Sequence, residues 1–215
     1  MQTLFTTDLL SRKIPPMKRA VLVVVLMALT CGSMRSQAQN FSDSPAFDCS
    51  ISRAADIKWY FKYLNAFSEP SLWAASKDSR RQLCRFLWLR TWDQAIIVRV
   101  DRNDDETATL ILKTPHGGSD SDEPGTQGIV RMKKLSKEEL VNIAEKFTTS
   151  GFWTMPSTAS SNGHEEAQWV LEATTNGHYH AMDGWSPKNG ALQGLALYLL
   201  QLADFKIVED KCCVY

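Results

Sequence analysis

Ile57, Tyr60, Phe61 and Leu64 recur at i, i+3, i+4 and i+7, with Ser50 or Ser52 placed to cap. That period predicts a helix over about 52–66, ended by Ser68, Glu69 and Pro70. A second short helix fits 71–83. Residues 85–90 form an extended apolar-aromatic stretch. Three β-branched or alternating runs follow, near 95–100, 107–113 and 129–134, and read as strands joined by polar turns. The Gly-, Ser- and Asp-rich segment 114–128 reads as a long loop.

Ser136 followed three residues later by Glu139 has the form of a capping box. Behind it Leu140, Ile143, Ala144 and Phe147 line one helical face, and Gly151 is a stop signal. Two further extended runs, 167–174 and 178–183, flank Asn176-Gly177, the strongest short-range hairpin signal. A last helix begins near Asn189 and carries Leu192, Leu195, Ala196, Leu199, Leu202 and Ala203. The order α-βββα-ββα predicts an α+β domain. It would have an antiparallel sheet of about five strands and helices packed on one face.

The hairpin fixes a register. With Asn176-Gly177 at the turn, Thr175 opposes His178, Ala173 opposes His180 and Leu171 opposes Met182. Trp169, Leu171, Ala173, His178, His180 and Met182 then share one face, and Gln168, Val170, Glu172, Tyr179, Ala181 and Asp183 share the other. His178 and His180 are the only metal candidates in the hairpin, and its acids point away from them. His164 and Glu166 lie far along the strand. The expectation is therefore no metal, with His180 buried towards the helices and His178 near solvent. Glu172, Tyr179 and Asp183, with Trp185 and Arg90 nearby, form the candidate ligand-binding group. An ordinary solvated sheet face is the competing reading.

The N-terminus changes the cellular picture. Lys18 and Arg19 precede the apolar run 20–29, and Ser36-Gln37-Ala38 is a small-x-small cleavage pattern. This is the order of a secretory signal peptide over 1–38, with 39–50 a loose lead-in and 51–215 one domain. Met17 begins a more conventional signal than Met1. The apolar run is too short to span a bilayer, which takes about 20 residues. Cys31 offers an alternative, a lipid anchor, although Leu29 and Thr30 match a lipoprotein box poorly.

The whole chain has a formal net charge of zero. The first 38 residues carry five basic side chains against one acidic one. Cleavage would leave an acidic protein, which argues against a nucleic-acid partner. Export also gives meaning to Cys49, Cys84, Cys212 and Cys213, an even set in an oxidising compartment. Neighbouring cysteines bond each other poorly. The favoured pairing joins Cys49 and Cys84 each to one of Cys212 and Cys213. A metal or redox role for the vicinal pair is the alternative.

FLWLR at 86–90, the Gly117-Gly118 loop, GFW at 151–153, QWVLE at 168–172, YH at 179–180 and WSP at 185–187 carry a resemblance. Over about 85–204 the chain resembles a family of small bacterial proteins of unknown function. The resemblance implies a single domain with a β-β-α close and brings no catalytic residue.

No nucleophile elbow, phosphate-binding loop, HExxH or CxxC is present. The chain has seven tryptophans. Trp88, Trp92, Trp153, Trp169 and Trp185 lie in or beside predicted strands, as a core or as an aromatic patch. The sequence thus predicts an exported, periplasmic or extracellular protein without a cofactor, acting by binding a protein, a glycan or a small molecule. The alternative is a hydrolase using carboxylates or histidines near the 167–185 hairpin.

Overall fold

The computed structural model describes residues 54–91, 93–117, 123–158 and 167–207. Helices α1 (Ala54–Ala66) and α2 (Leu72–Ala75) come first. Strands β1 (Leu83–Arg90), β2 (Ile96–Arg102), β3 (Ala108–His116) and β4 (Thr126–Leu135) follow, then α3 (Lys137–Thr149) and a 3-10 turn at Phe152–Thr154. Strands β5 (Ala167–Thr175) and β6 (His178–Trp185) and helix α4 (Gly190–Leu202) complete the fold. The expected antiparallel α+β architecture is present, with six strands in the order β4-β3-β2-β1-β5-β6. The additional strand is β1, the stretch whose pattern did not alternate. It sits between β2 and β5, and its first seven residues are buried. A strand buried on both faces has no polar side to reveal its period.

The sheet is covered on both faces, where the sequence led us to expect helices on one. Phe86, Trp88, Val98, Leu110, Trp169, Leu171 and Met182 point to α3 and α4. Leu87, Leu89, Ile97, Val170 and Ala181 point the other way, to Tyr60, Tyr63, Leu64 and Phe67. Tyr60 and Leu64 of α1, with Phe67 just after it, thus pack on the face read from the sequence as possible solvent surface.

Local signals explain the rest. Ser136 accepts from the Glu139 amide and the Glu139 carboxylate accepts from the Ser136 amide, completing the capping box of α3. Asn176 and Gly177 have φ of 50° and 78°, the paired positive values of a tight hairpin turn. The β5–β6 register is the one deduced, Thr175 to His178 through Leu171 to Met182. At the outer edge, β4 carries Arg131, Lys133 and Lys134 and a bulge at Gly128. Charges and bulges of this kind discourage edge-to-edge association. No helix among the described residues is long and apolar enough to cross a membrane.

Candidate functional site

The candidate acids do share a face, and that face is sealed. Pairing of β1 with both neighbours sets Arg85 opposite Arg99 on β2 and opposite Glu172 on β5. Two guanidinium groups side by side repel each other and need an anion. Glu69, delivered by the loop after α1, supplies it. Its carboxylate lies 3.4 Å from Arg85 Nη1, 3.0 Å from Arg99 Nε and 2.7 Å from Lys113 Nζ. Arg85 donates through Nε and Nη2 to Glu172 Oε2 at 2.8 and 2.5 Å, and Tyr179 donates to Glu172 Oε1 at 2.9 Å. Arg99 donates to Asp101 at 2.5 Å. The three cations thus meet three carboxylates. Lys113 and Arg85 also donate to the carbonyls of Phe67 and Pro70, each at 2.7 Å, which pins the α1–α2 loop.

Burial shapes these groups. Arg85, Glu69 and Glu172 have at most 1% of their side-chain surface exposed. Burial works against the Glu69 carboxylate, but Arg85, Arg99 and Lys113 outweigh it and hold its pKa below the ordinary value. Burial lifts the Glu172 pKa, and the Arg85 charge with the hydrogen bonds from Arg85 and Tyr179 opposes that rise. Burial opposes the Arg85 cation, and Glu172 and Glu69 more than restore it. Trp73 of α2 stacks on Tyr179 with ring centroids 6.5 Å apart, closing the outer side. Each partner ends in another protein group, so the arrangement holds the loop and α2 on the sheet.

Asp183 is also buried. It accepts from Tyr60 at 2.8 Å and from Gln168 at 3.4 Å. Trp185 is half-buried beyond it on the same face. Arg90 lies on the opposite face. Its guanidinium donates to the Gln94 carbonyl, pairs with Asp93 at 2.6 Å and sits 5.0 Å from the Trp88 ring centre. The structure therefore brings Glu172 and Tyr179 into contact, places Asp183 and Trp185 further along, and separates Arg90 from all four.

His178 and His180 occupy the helical face, as the register required. His180 packs edge-on to Phe152 at 4.9 Å, and exposed His178 lies 5.3 Å from Trp153. Among the described residues no group of three or more potential ligands is placed to hold a metal. Burial, then the nearby His178, lower the His180 pKa below 6.5, and a bond to the Met155 backbone opposes them only in part. The folded state therefore prefers neutral imidazole more strongly than the unfolded chain does. That stability is present above the ordinary value and is lost as pH falls through the folded one. Urea midpoints should drop between pH 7.5 and 5.5, and drop less in His180→Gln. Equal drops in both proteins would show that His180 is not the titrating group.

Cys84 is a free thiol, buried on the helical face of β1. Burial pushes its pKa up to about 12, a setting in which a thiol is unreactive. The expected bond from Cys84 to the tail is thus not formed here, and Cys49, Cys212 and Cys213 lie outside the described residues. Trp92 lies outside them as well.

One concave feature stands apart from these paired groups. The second half of α3 and the ends of β1, β2 and β5 enclose a cleft of about 210 Å³. Cys84, Val100 and Ala173 form its sheet side, with the Leu83 backbone at the rim, and Leu140, Ile143, Ala144 and Phe147 its helix side. Trp153 stands at one wall, edge-on to Phe152 at 5.2 Å. Gln82, Thr148, Thr174, Thr175 and Asn176 supply the polar groups. No Asp, Glu, His, Lys or Arg lines it. Only the apolar face of α3 was legible in the chain; the wall from β1, β2 and β5 is non-local. Fold and cleft together define a two-face-covered antiparallel sheet domain with a small apolar pocket under one helix. No protein-family model matches the chain, and no curated protein matches it.

Proposed function

We propose that this is an exported, non-enzymatic binding protein whose site is the cleft beneath α3. One observation carries the reading. The cleft is lined by apolar side chains and neutral polar ones, whereas the buried acids at Glu69, Glu172 and Asp183 are engaged elsewhere. Small-molecule sites have this character, mostly apolar with a few polar groups that orient the ligand. A hydrolase would instead need a carboxylate or imidazole facing the concavity. Export rests on the basic, apolar and small-residue order of the first 38 residues. A native mass beginning at Gln39 supports it, and one beginning at Met1 or Met17 contradicts it.

The binding claim is tested by fragment screening with ligand-observed NMR, repeated on Ala144→Phe. Ala144 is half-exposed at the cleft wall, so the larger ring fills the space without removing a core contact. Wild type should yield saturable hits that Ala144→Phe loses, and the fragments should be recovered unchanged. Hits indifferent to Ala144→Phe would place binding elsewhere. Consumption of a fragment would favour the hydrolase reading.

A further inference from the structure

The structure assigns a ligand class to this cleft: an uncharged, flat aromatic molecule of about bicyclic size bearing one hydrogen-bonding group. The inference rests on the binding role proposed above and adds the chemistry of the ligand. Size comes first. A cavity of roughly 150 Å³ lined by aliphatic and aromatic side chains holds a benzene ring, and this cleft is about 210 Å³. A second fused ring takes up that difference.

Shape follows from the walls. Phe147 and Trp153 are both at the cleft, with ring centroids 6.4 Å apart. Aromatic walls favour offset or edge-on contact with a flat ring. Charge is excluded by the lining. No ionic side chain faces the space, and the one ionisable group, Cys84, is buried and held as a neutral thiol. An ionised ligand would enter without a counter-charge and lose its water, which is strongly unfavourable. Thr148, near the end of α3, and Thr175 and Asn176, at the hairpin turn, all line the cleft. They provide neutral hydroxyl, amide and backbone groups for one polar substituent. Sugars would leave most of their hydroxyls against Val100, Leu140 and Ile143 without partners.

Three probes of one skeleton separate the terms: naphthalene, 1-naphthol and 1-naphthoate, titrated at pH 7 into the full-length protein and followed by tryptophan fluorescence. 1-Naphthol should bind best. Naphthalene should bind a few-fold to about tenfold more weakly, for want of one hydrogen bond. 1-Naphthoate should bind at least about tenfold more weakly than 1-naphthol. All three affinities should fall in Ala144→Phe. Naphthoate binding as well as naphthol would overturn the ligand class while leaving the cleft as the site. Failure of all three to bind, with other fragments still competing for the cleft, would overturn the class alone. Failure of every fragment at the cleft would overturn the site itself.

Discussion

Arg85→Met should destabilise the protein by about 3–5 kcal/mol, because it strands a buried carboxylate. Arg85 is fully buried and makes two hydrogen bonds to Glu172. Without it Glu172 keeps only the Tyr179 hydroxyl, and Glu69 keeps Arg99 and Lys113. The companion variant is more informative. Arg85→Met combined with Glu172→Leu removes one positive and one negative charge, and leaves Arg99 and Lys113 facing Glu69 and Asp101. Much of the single variant's loss should return, since replacing a buried pair by apolar groups is often nearly neutral. Urea unfolding of the four proteins in this cycle measures the coupling. A single variant within about 1 kcal/mol of wild type would refute the view that this network fixes the loop to the sheet.

The second large effect lies in the opposite core. Trp169 is fully buried, with its ring 5.1 Å from Phe86 and 5.4 Å from Trp88. Trp169→Ala should cost about 3–5 kcal/mol through lost burial and the cavity left behind. Trp169→Phe should cost clearly less, because it keeps an aromatic ring against the same neighbours. Both are read from denaturant midpoints with unchanged slope. Equal losses would mean that the indole edge, and not ring packing, carries the contribution.

These cases show which parts of the fold were written locally. The α3 cap needs only Ser136 and Glu139, three residues apart, and the β5–β6 register needs only Asn176-Gly177 between two extended runs. Both were readable from the chain. The deduced register put His178 and His180 on the helical face and Glu172, Tyr179 and Asp183 on the other, where the structure has them. What covers that second face was not readable. Nothing in the spacing of Tyr60, Leu64 and Phe67 says which side of a sheet α1 will choose. The resulting burial turns candidate ligand-binding acids into structural ion pairs.

The buried network had one available signal. Arg85 is a single charge inside the apolar run 83–89, and a charge in such a place is paired or hydrogen-bonded in a folded protein. Its partners could not be named from spacing, because Glu69 and Glu172 come from opposite sides of it in the chain. Arg90 failed as a site residue for a simpler reason. It stands an odd number of positions from Arg85, so strand alternation sends it to the other face. The cleft was legible only as the apolar side of α3, with its facing wall assembled from three strand ends.

The most direct test of the account is a methyl-resolved NMR titration of the full-length protein with 1-naphthol. Saturable shifts are expected at Val100, Leu140 and Ile143, which line the cleft. Leu87, Leu89 and Val170, on the α1 side of the sheet, should stay in place. Shifts centred on that second group, with the cleft methyls unmoved, would contradict it and return the search to the face that carries Glu172 and Asp183.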